Sequence, residues 1–165
     1  MILHAGLIAL RLDGHWAGVL IEGPSGSGKS DLALRALAAG FRLVADDRVI
    51  VWASGGVAWG RAPAALVGLI EVRGQGVRRV SPAPFARIVL AATCAADAEP
   101  IERLPDIEYA EIAGVATPRF RVHAFEASAP EKLRHAMQHL GEARQQAYQP
   151  PPLGGSGRAG TGDTP

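Results

Sequence analysis

The chain has 165 residues, 48% of them hydrophobic, with 17 lysines and arginines against 16 aspartates and glutamates. That is one domain's length with room for a buried core. A net charge of +1 carries no nucleic-acid or membrane-surface signature, and no apolar run is long enough to span a bilayer.

Residues 3–12 have the apolar content of a strand and run into Asp13-Gly14, a hairpin turn signal. The return strand, residues 17–22, leads into Gly23-Pro24-Ser25-Gly26-Ser27-Gly28-Lys29-Ser30, a complete G-x-x-x-x-G-K-[ST] phosphate loop. Residues 31–39, rich in Ala and Leu, read as the helix that such a loop opens, with Gly40 as its stop. Residues 41–45 form another strand and end in Asp46-Asp47. Residues 49–52 and 57–59 flank Gly55-Gly56 as a second hairpin.

Residues 66–73 are strand-like and meet the turn Gly74-Gln75-Gly76. Residues 87–93, 107–112 and 119–125 are further strand candidates, and Cys94 after the first of them reads as a packing residue. Ser128-Ala129-Pro130-Glu131 has capping-box spacing with an early proline, which predicts a helix over 130–140. The Pro/Gly-rich end cannot bury enough apolar surface to order itself. The expected division is a domain over 1–141 and a disordered tail over 142–165.

The fold class that follows is α/β: a strand-rich mixed sheet with one helix after the loop and one near the end. One cysteine, Cys94, leaves no internal disulfide, and Met1-Ile2-Leu3-His4 lacks the basic start of a signal peptide. Both predict a cytoplasmic protein.

The loop carries the chemistry. Its glycines let successive backbone N–H groups of Gly23, Pro24's neighbours Ser25 and Gly26, Ser27 and Gly28 close around phosphate oxygens, and the helix N-terminus adds partial positive charge. Lys29 is expected to reach the β- and γ-phosphates, and the Ser30 hydroxyl to sit on Mg²⁺. The chain is therefore expected to bind a nucleoside triphosphate with Mg²⁺. Asp46 and Asp47 lie at a strand end that the sheet brings beside the phosphates. Two adjacent carboxylates there call for a cation, a nucleophile's proton, or both. Glu71 and Arg73 flank a glycine turn on one side of the chain, where a structural salt bridge explains them as well as a site does.

Together, the loop, Leu43-Val44-Ala45-Asp46-Asp47-Arg48-Val49 and Glu71-Val72-Arg73-Gly74-Gln75-Gly76 resemble bacterial HPr kinase/phosphorylase over roughly residues 3–125. The likeness is to the catalytic domain alone, as in short alphaproteobacterial forms. The resemblance implies a fold like the P-loop core of PEP carboxykinase and a serine kinase acting on the phosphocarrier HPr. It also implies a homo-oligomer, hexameric in the family. By the same likeness Asp47 matches the acid that takes the substrate proton, Glu71 a second Mg²⁺ ligand, Arg103 the catalytic arginine and His4 the catalytic histidine. Asp46, Arg73, Gly74 and Gly76 are supporting residues. The segment tied to dephosphorylation is matched only by Thr117-Pro118-Arg119, so the kinase direction is carried further than the reverse one.

Two other classes fit a phosphate loop: an ATP-binding regulatory module without phosphotransfer, and a small-molecule kinase. The paired acids and Glu71 favour a transferase over a sensor, and no lid insertion speaks for a small substrate. His135 and His139, spaced i, i+4, read as a polar helix face, Arg78-Arg79 as a solvated basic pair, and Trp16, Trp52 and Trp59 as packing residues.

Overall fold

The structure is a computed structural model, and it describes residues 1–96 and 98–139. The expected tail over 142–165 and the last residue of the expected helix, Leu140, lie outside the described residues. In chain order the elements are β1 (Ile2–Leu3), β2 (Gly6–Leu12), β3 (His15–Glu22), α1 (Lys29–Ala38), β4 (Arg42–Ala45), β5 (Val49–Ser54), β6 (Val57–Arg61), β7 (Leu69–Val72), β8 (Gly76–Arg79), β9 (Ala86–Ala95), β10 (Glu108–Ile112), β11 (Val115–His123) and α2 (Ala129–His139). This is the expected α/β class, strand-rich with few helices.

Among the described residues, nine strands make one curled sheet, seven in the order β1-β5-β6-β9-β3-β2-β4 and two, β11 and β10, branching from β9, and β7 with β8 makes a separate ribbon. β9 forks the sheet. Its first residues pair with β6, and Ala91 to Ala95 pair in parallel with Arg119 to His123 of β11. Three hairpins turn on two consecutive positive-φ residues, Asp13-Gly14, Gly55-Gly56 and Ala113-Gly114, the geometry that matches strand twist.

Strand alternation sorts the core into two. Ile8, Leu10, Val19 and Ile21 face the helices, where they meet Leu32, Ala33 and Ala36 of α1 and Leu133 and Met137 of α2. Leu7, Ala9 and Leu20 face the inside of the curl, against Val49, Val51, Ala58, Ile88 and Ile112. In β9 the pairing to β3 slips between Gly18 and Val19, so that Ile88 and Leu90 are partners of consecutive residues. The extra residue changes the alternation, which puts Ile88 in one core and Leu90, Ala92 and Cys94 in the other.

α1 buries Leu32, Ala33 and Ala36 on one face at helical spacing. It ends where expected, because Gly40 takes φ 95 while its N–H donates to Leu37 O and the Phe41 N–H donates to Ala36 O. That paired bond satisfies the last carbonyls and needs a left-handed residue at this point.

The directions of the strands decide where the site is. β3, β9 and β11 run parallel; β2 is antiparallel to β3, and β4 to β2, so β4 points the same way as β3. The C-terminal ends of β3, β4, β9 and β11 therefore lie along one edge, the usual place for ligands in such sheets. That edge receives the loop after β3, Asp46-Asp47 after β4 and the chain after β11, and β2 starts from it.

Several expected boundaries are corrected. The single strand over 3–12 is two, broken at His4-Ala5 because Ile2 and Leu3 pair with β5 whereas β2 pairs with β3 and β4. The strand over 66–73 is a 3-10 turn at Ala64–Leu66 followed by β7, and Arg73 falls in the turn after it. The last strand, β11, starts earlier than expected and stops at His123, which leaves Phe125 in the connection to α2.

Candidate functional site

Gly23 to Gly28 connect β3 to α1, and α1 starts at Lys29 with Gly28 as its cap residue. Gly28 has φ 89, and a Cβ there would lie 2.8 Å from Phe125 Cζ, so both backbone and space restrict this position to glycine. Lys29 is buried, and its Nζ donates to Gly23 O at 2.8 Å and Pro24 O at 2.9 Å. The ammonium group is thereby held inside the curve of the loop with a third proton to give. The helix N-terminus adds its partial positive charge at the same place. This is an anion cradle built from one strand-to-helix turn.

Asp46 follows the buried β4 and is itself only 8% exposed. Both of its oxygens are used. Ser30 Oγ donates to Oδ1 at 2.8 Å, and the backbone N–H of Glu71 donates to Oδ2 at 3.0 Å. One carboxylate therefore ties the phosphate loop to the β7–β8 ribbon. Ser30, Asp46 and Glu71 offer oxygen ligands only, the donor chemistry that hard divalent cations take. Among the described residues no group of three or more His, Cys, Asp or Glu side chains could cage a metal alone. Mg²⁺ fits such a sparse set, because it is usually held by one or two carboxylates together with substrate phosphates.

Asp47 is arranged differently. Its φ is 65, and the N–H of Arg48 donates across it to Asp46 O at 2.7 Å, a three-residue turn of a rare, strained type. The turn swings the Asp47 side chain out of the sheet. There Oδ1 lies 3.1 Å from His4 Nδ1 and Oδ2 lies 3.8 Å from Arg48 Nε. His4 reaches it because the chain breaks between β1 and β2 at that residue, and the Ala5 N–H donates to Asp47 O at 3.2 Å. Exposed pairs of this kind add little stability; what the contacts give is a fixed direction for the Asp47 carboxylate.

The structure thus joins Ser30, Asp46 and the Glu71 backbone by direct hydrogen bonds, ties Lys29 to the loop carbonyls of Gly23 and Pro24, and sets His4 beside Asp47 at the neighbouring strand end. Arg73, Gly74 and Gly76 shape the turn of the ribbon, with both glycines at positive φ and the Glu71 and Arg73 side chains exposed. Arg103 lies exposed in the connection from β9 to β10, and none of the described hydrogen bonds or ion pairs joins it to the other candidates. Cys94 is buried beneath the loop. Burial pushes its thiol up, an effect opposed by the nearby Ser27 hydroxyl and Lys29 ammonium, and a thiol held protonated there packs and does not attack.

Asp46, a supporting acid in the sequence reading, is directly bonded to Ser30, and one further contact of the site was not legible in the sequence. Arg35, one helical turn after Asp31, reaches across to the chain after β11, and only its i, i+4 spacing from Asp31 is a sequence signal. The remaining candidates sit as packing or surface groups. Trp52 and Trp59 are cross-strand partners, Arg11 lies over the Trp16 ring, and His135 stacks on His139.

Residues 3–128 match the HPr Serine kinase C-terminal domain. The HPr kinase/phosphorylase of Streptococcus sanguinis SK36 is 37% identical over 122 residues, which cover 67% of this chain and 39% of that protein. The HPr kinase/phosphorylase of Streptococcus thermophilus LMD-9 is 49% identical over 67 residues, 40% of this chain and 22% of that protein. The chain thus spans well under half the length of these relatives. The solved Hpr(Ser) kinase/phosphatase from Coxiella burnetii superposes with a TM-score of 0.70 at 22% identity, covering 85% of this chain and 98% of the other, and so shares the fold. No helix among the described residues is long and apolar enough to cross a membrane. With a family match over most of its length, the chain belongs to the HPr Serine kinase C-terminal domain family.

Proposed function

We propose that this chain is the catalytic domain of an ATP- and Mg²⁺-dependent protein-serine kinase that acts in the cytoplasm on the phosphocarrier HPr. The observation that carries the reading is the pairing of two acids with two tasks at one strand end. Buried Asp46 is bonded to the loop's Ser30, and exposed Asp47 points outward with His4 at its side.

In this reading the loop N–H groups and Lys29 Nζ bind the triphosphate of ATP. Ser30, Asp46 and Glu71 would hold Mg²⁺, which when bound neutralises charge on the phosphoryl oxygens. Asp47 accepts the proton of the substrate serine hydroxyl as that oxygen bonds to the γ-phosphorus and the bond to the leaving ADP breaks. His4 orients Asp47, and Lys29 and Arg103 offset the charge that develops on the transferred group. Phosphorolysis would use Asp47 in the opposite sense, giving its proton back to the serine oxygen while inorganic phosphate attacks.

The test is transfer of ³²P from γ-labelled Mg-ATP to purified HPr, with a serine-to-alanine HPr as control. Label on the wild-type carrier alone is expected. ATP binding by calorimetry without label would sink the kinase reading and turn the chain into a nucleotide sensor.

A homo-oligomer, hexameric as the family resemblance implies, belongs to the same proposal, and exposed Met1, Ile2, Phe85 and Tyr109 supply apolar surface for it. Light scattering on the purified chain is expected to give a mass well above that of one 17.2 kDa chain; a monomer at micromolar concentration would refute it.

A further inference from the structure

Phe125 is an aromatic side chain left 56% exposed beside the phosphate loop. It is not loosely placed. Its ring touches Gly28, the last residue of the loop, where a Cβ would come within 2.8 Å of Cζ and 3.0 Å of Cε1. The carbonyls on both sides of it are held by one guanidinium. Arg35 donates from Nη2 to Ala124 O and from Nη1 to Glu126 O, the latter at 3.0 Å, while Arg35 Nε donates to Asp31 Oδ2 at 2.8 Å.

Further bonds close the same connection. The Glu126 N–H donates to His123 O at 3.2 Å, the Ala129 N–H to Glu126 O at 3.0 Å, and the Glu126 carboxylate is paired with Lys132. The backbone that carries the ring is thereby tied, through Arg35, to the helix whose N-terminus forms the anion cradle. A hydrophobic ring that only filled the core would be covered, as neighbouring Ala124 is at 1% exposure. A ring carried on a tied-down backbone, with one edge against the loop and much of it open, is suited to stack on a flat group attached to whatever the loop binds.

We infer that Phe125 is the stacking platform for the base of the bound nucleotide, positioned there by Arg35. The inference rests on the nucleotide-binding reading above and adds the residue that separates a nucleotide from a bare polyphosphate.

The test is calorimetric binding of Mg-ADP and of inorganic tripolyphosphate with Mg²⁺ to the full 165-residue chain and to Phe125→Ala, Phe125→Leu and Phe125→Tyr. The Ala and Leu variants are expected to weaken Mg-ADP about fivefold or more, leaving tripolyphosphate unchanged, whereas Tyr keeps wild-type affinity for both. Unchanged Mg-ADP affinity in Ala and Leu overturns the stacking role. So does an equal loss for both ligands, which would mean that Phe125 only shapes the loop. A wild-type chain that binds tripolyphosphate but not Mg-ADP overturns the nucleotide reading itself, an outcome separate from the other two.

Discussion

Asp47→Asn is expected to slow phosphoryl transfer to a protein serine by about 10²–10⁴-fold, the usual worth of a general base, while nucleotide affinity stays close to wild type. The substitution isolates chemistry from structure. Asp47 has φ 65, a conformation that Asn tolerates as well as Asp does. Its side chain is exposed, and its ion pairs among the described residues are with His4 and Arg48, both at the surface and worth little to stability. The Asn amide fills the same space and still offers an oxygen to His4, but it cannot take a proton from a hydroxyl. Single-turnover transfer to HPr measures the first effect and calorimetry with Mg-ADP the second. Transfer at near wild-type rate would remove Asp47 from the role of base.

The parts of this site that were legible in the sequence are those whose signals are local. The loop, the helix behind it and the Gly40 stop are consecutive residues, and each obeys a rule about its own backbone. The Asp13-Gly14 and Gly55-Gly56 hairpins were legible for the same reason. Less visible were features fixed by pairing with distant strands. Residues 3–12 look continuous, yet the chain breaks at His4 because the two halves have different neighbours, and that break is what lets His4 meet Asp47. β11 likewise begins before Arg119, with Pro118 opposite Tyr109 of β10 and pairing to β9 starting only at Arg119, so the missing N–H of Pro118 is tolerated. The slip in β9 has no local mark, although it decides which core Leu90 and Cys94 enter. In the sequence Phe125 reads as the end of a strand. Only the fold shows that the strand has stopped and that the ring lies over the loop.

Burial separates the two acids, with Asp46 nearly covered and Asp47 exposed. Asp46→Asn is expected to leave the melting temperature near wild type while abolishing the gain in nucleotide affinity that Mg²⁺ brings, and to cut transfer by about 10²-fold or more. The amide oxygen can keep the Glu71 N–H, and its NH₂ can donate to Ser30 Oγ, which is able to accept instead of donate. The bonds survive with one reversed in sense, and only the negative charge is gone. Asp46→Ala removes both acceptors from a nearly buried position. It is expected to cost about 1–3 kcal/mol of stability on top of the lost metal response, because the Glu71 N–H loses its partner. Thermal melts and Mg²⁺ titrations of ADP affinity separate the two variants. An Asn variant that keeps the full Mg²⁺ response would confine Asp46 to tying the β7–β8 ribbon to the loop, and would shift the metal to Ser30 and Glu71 alone.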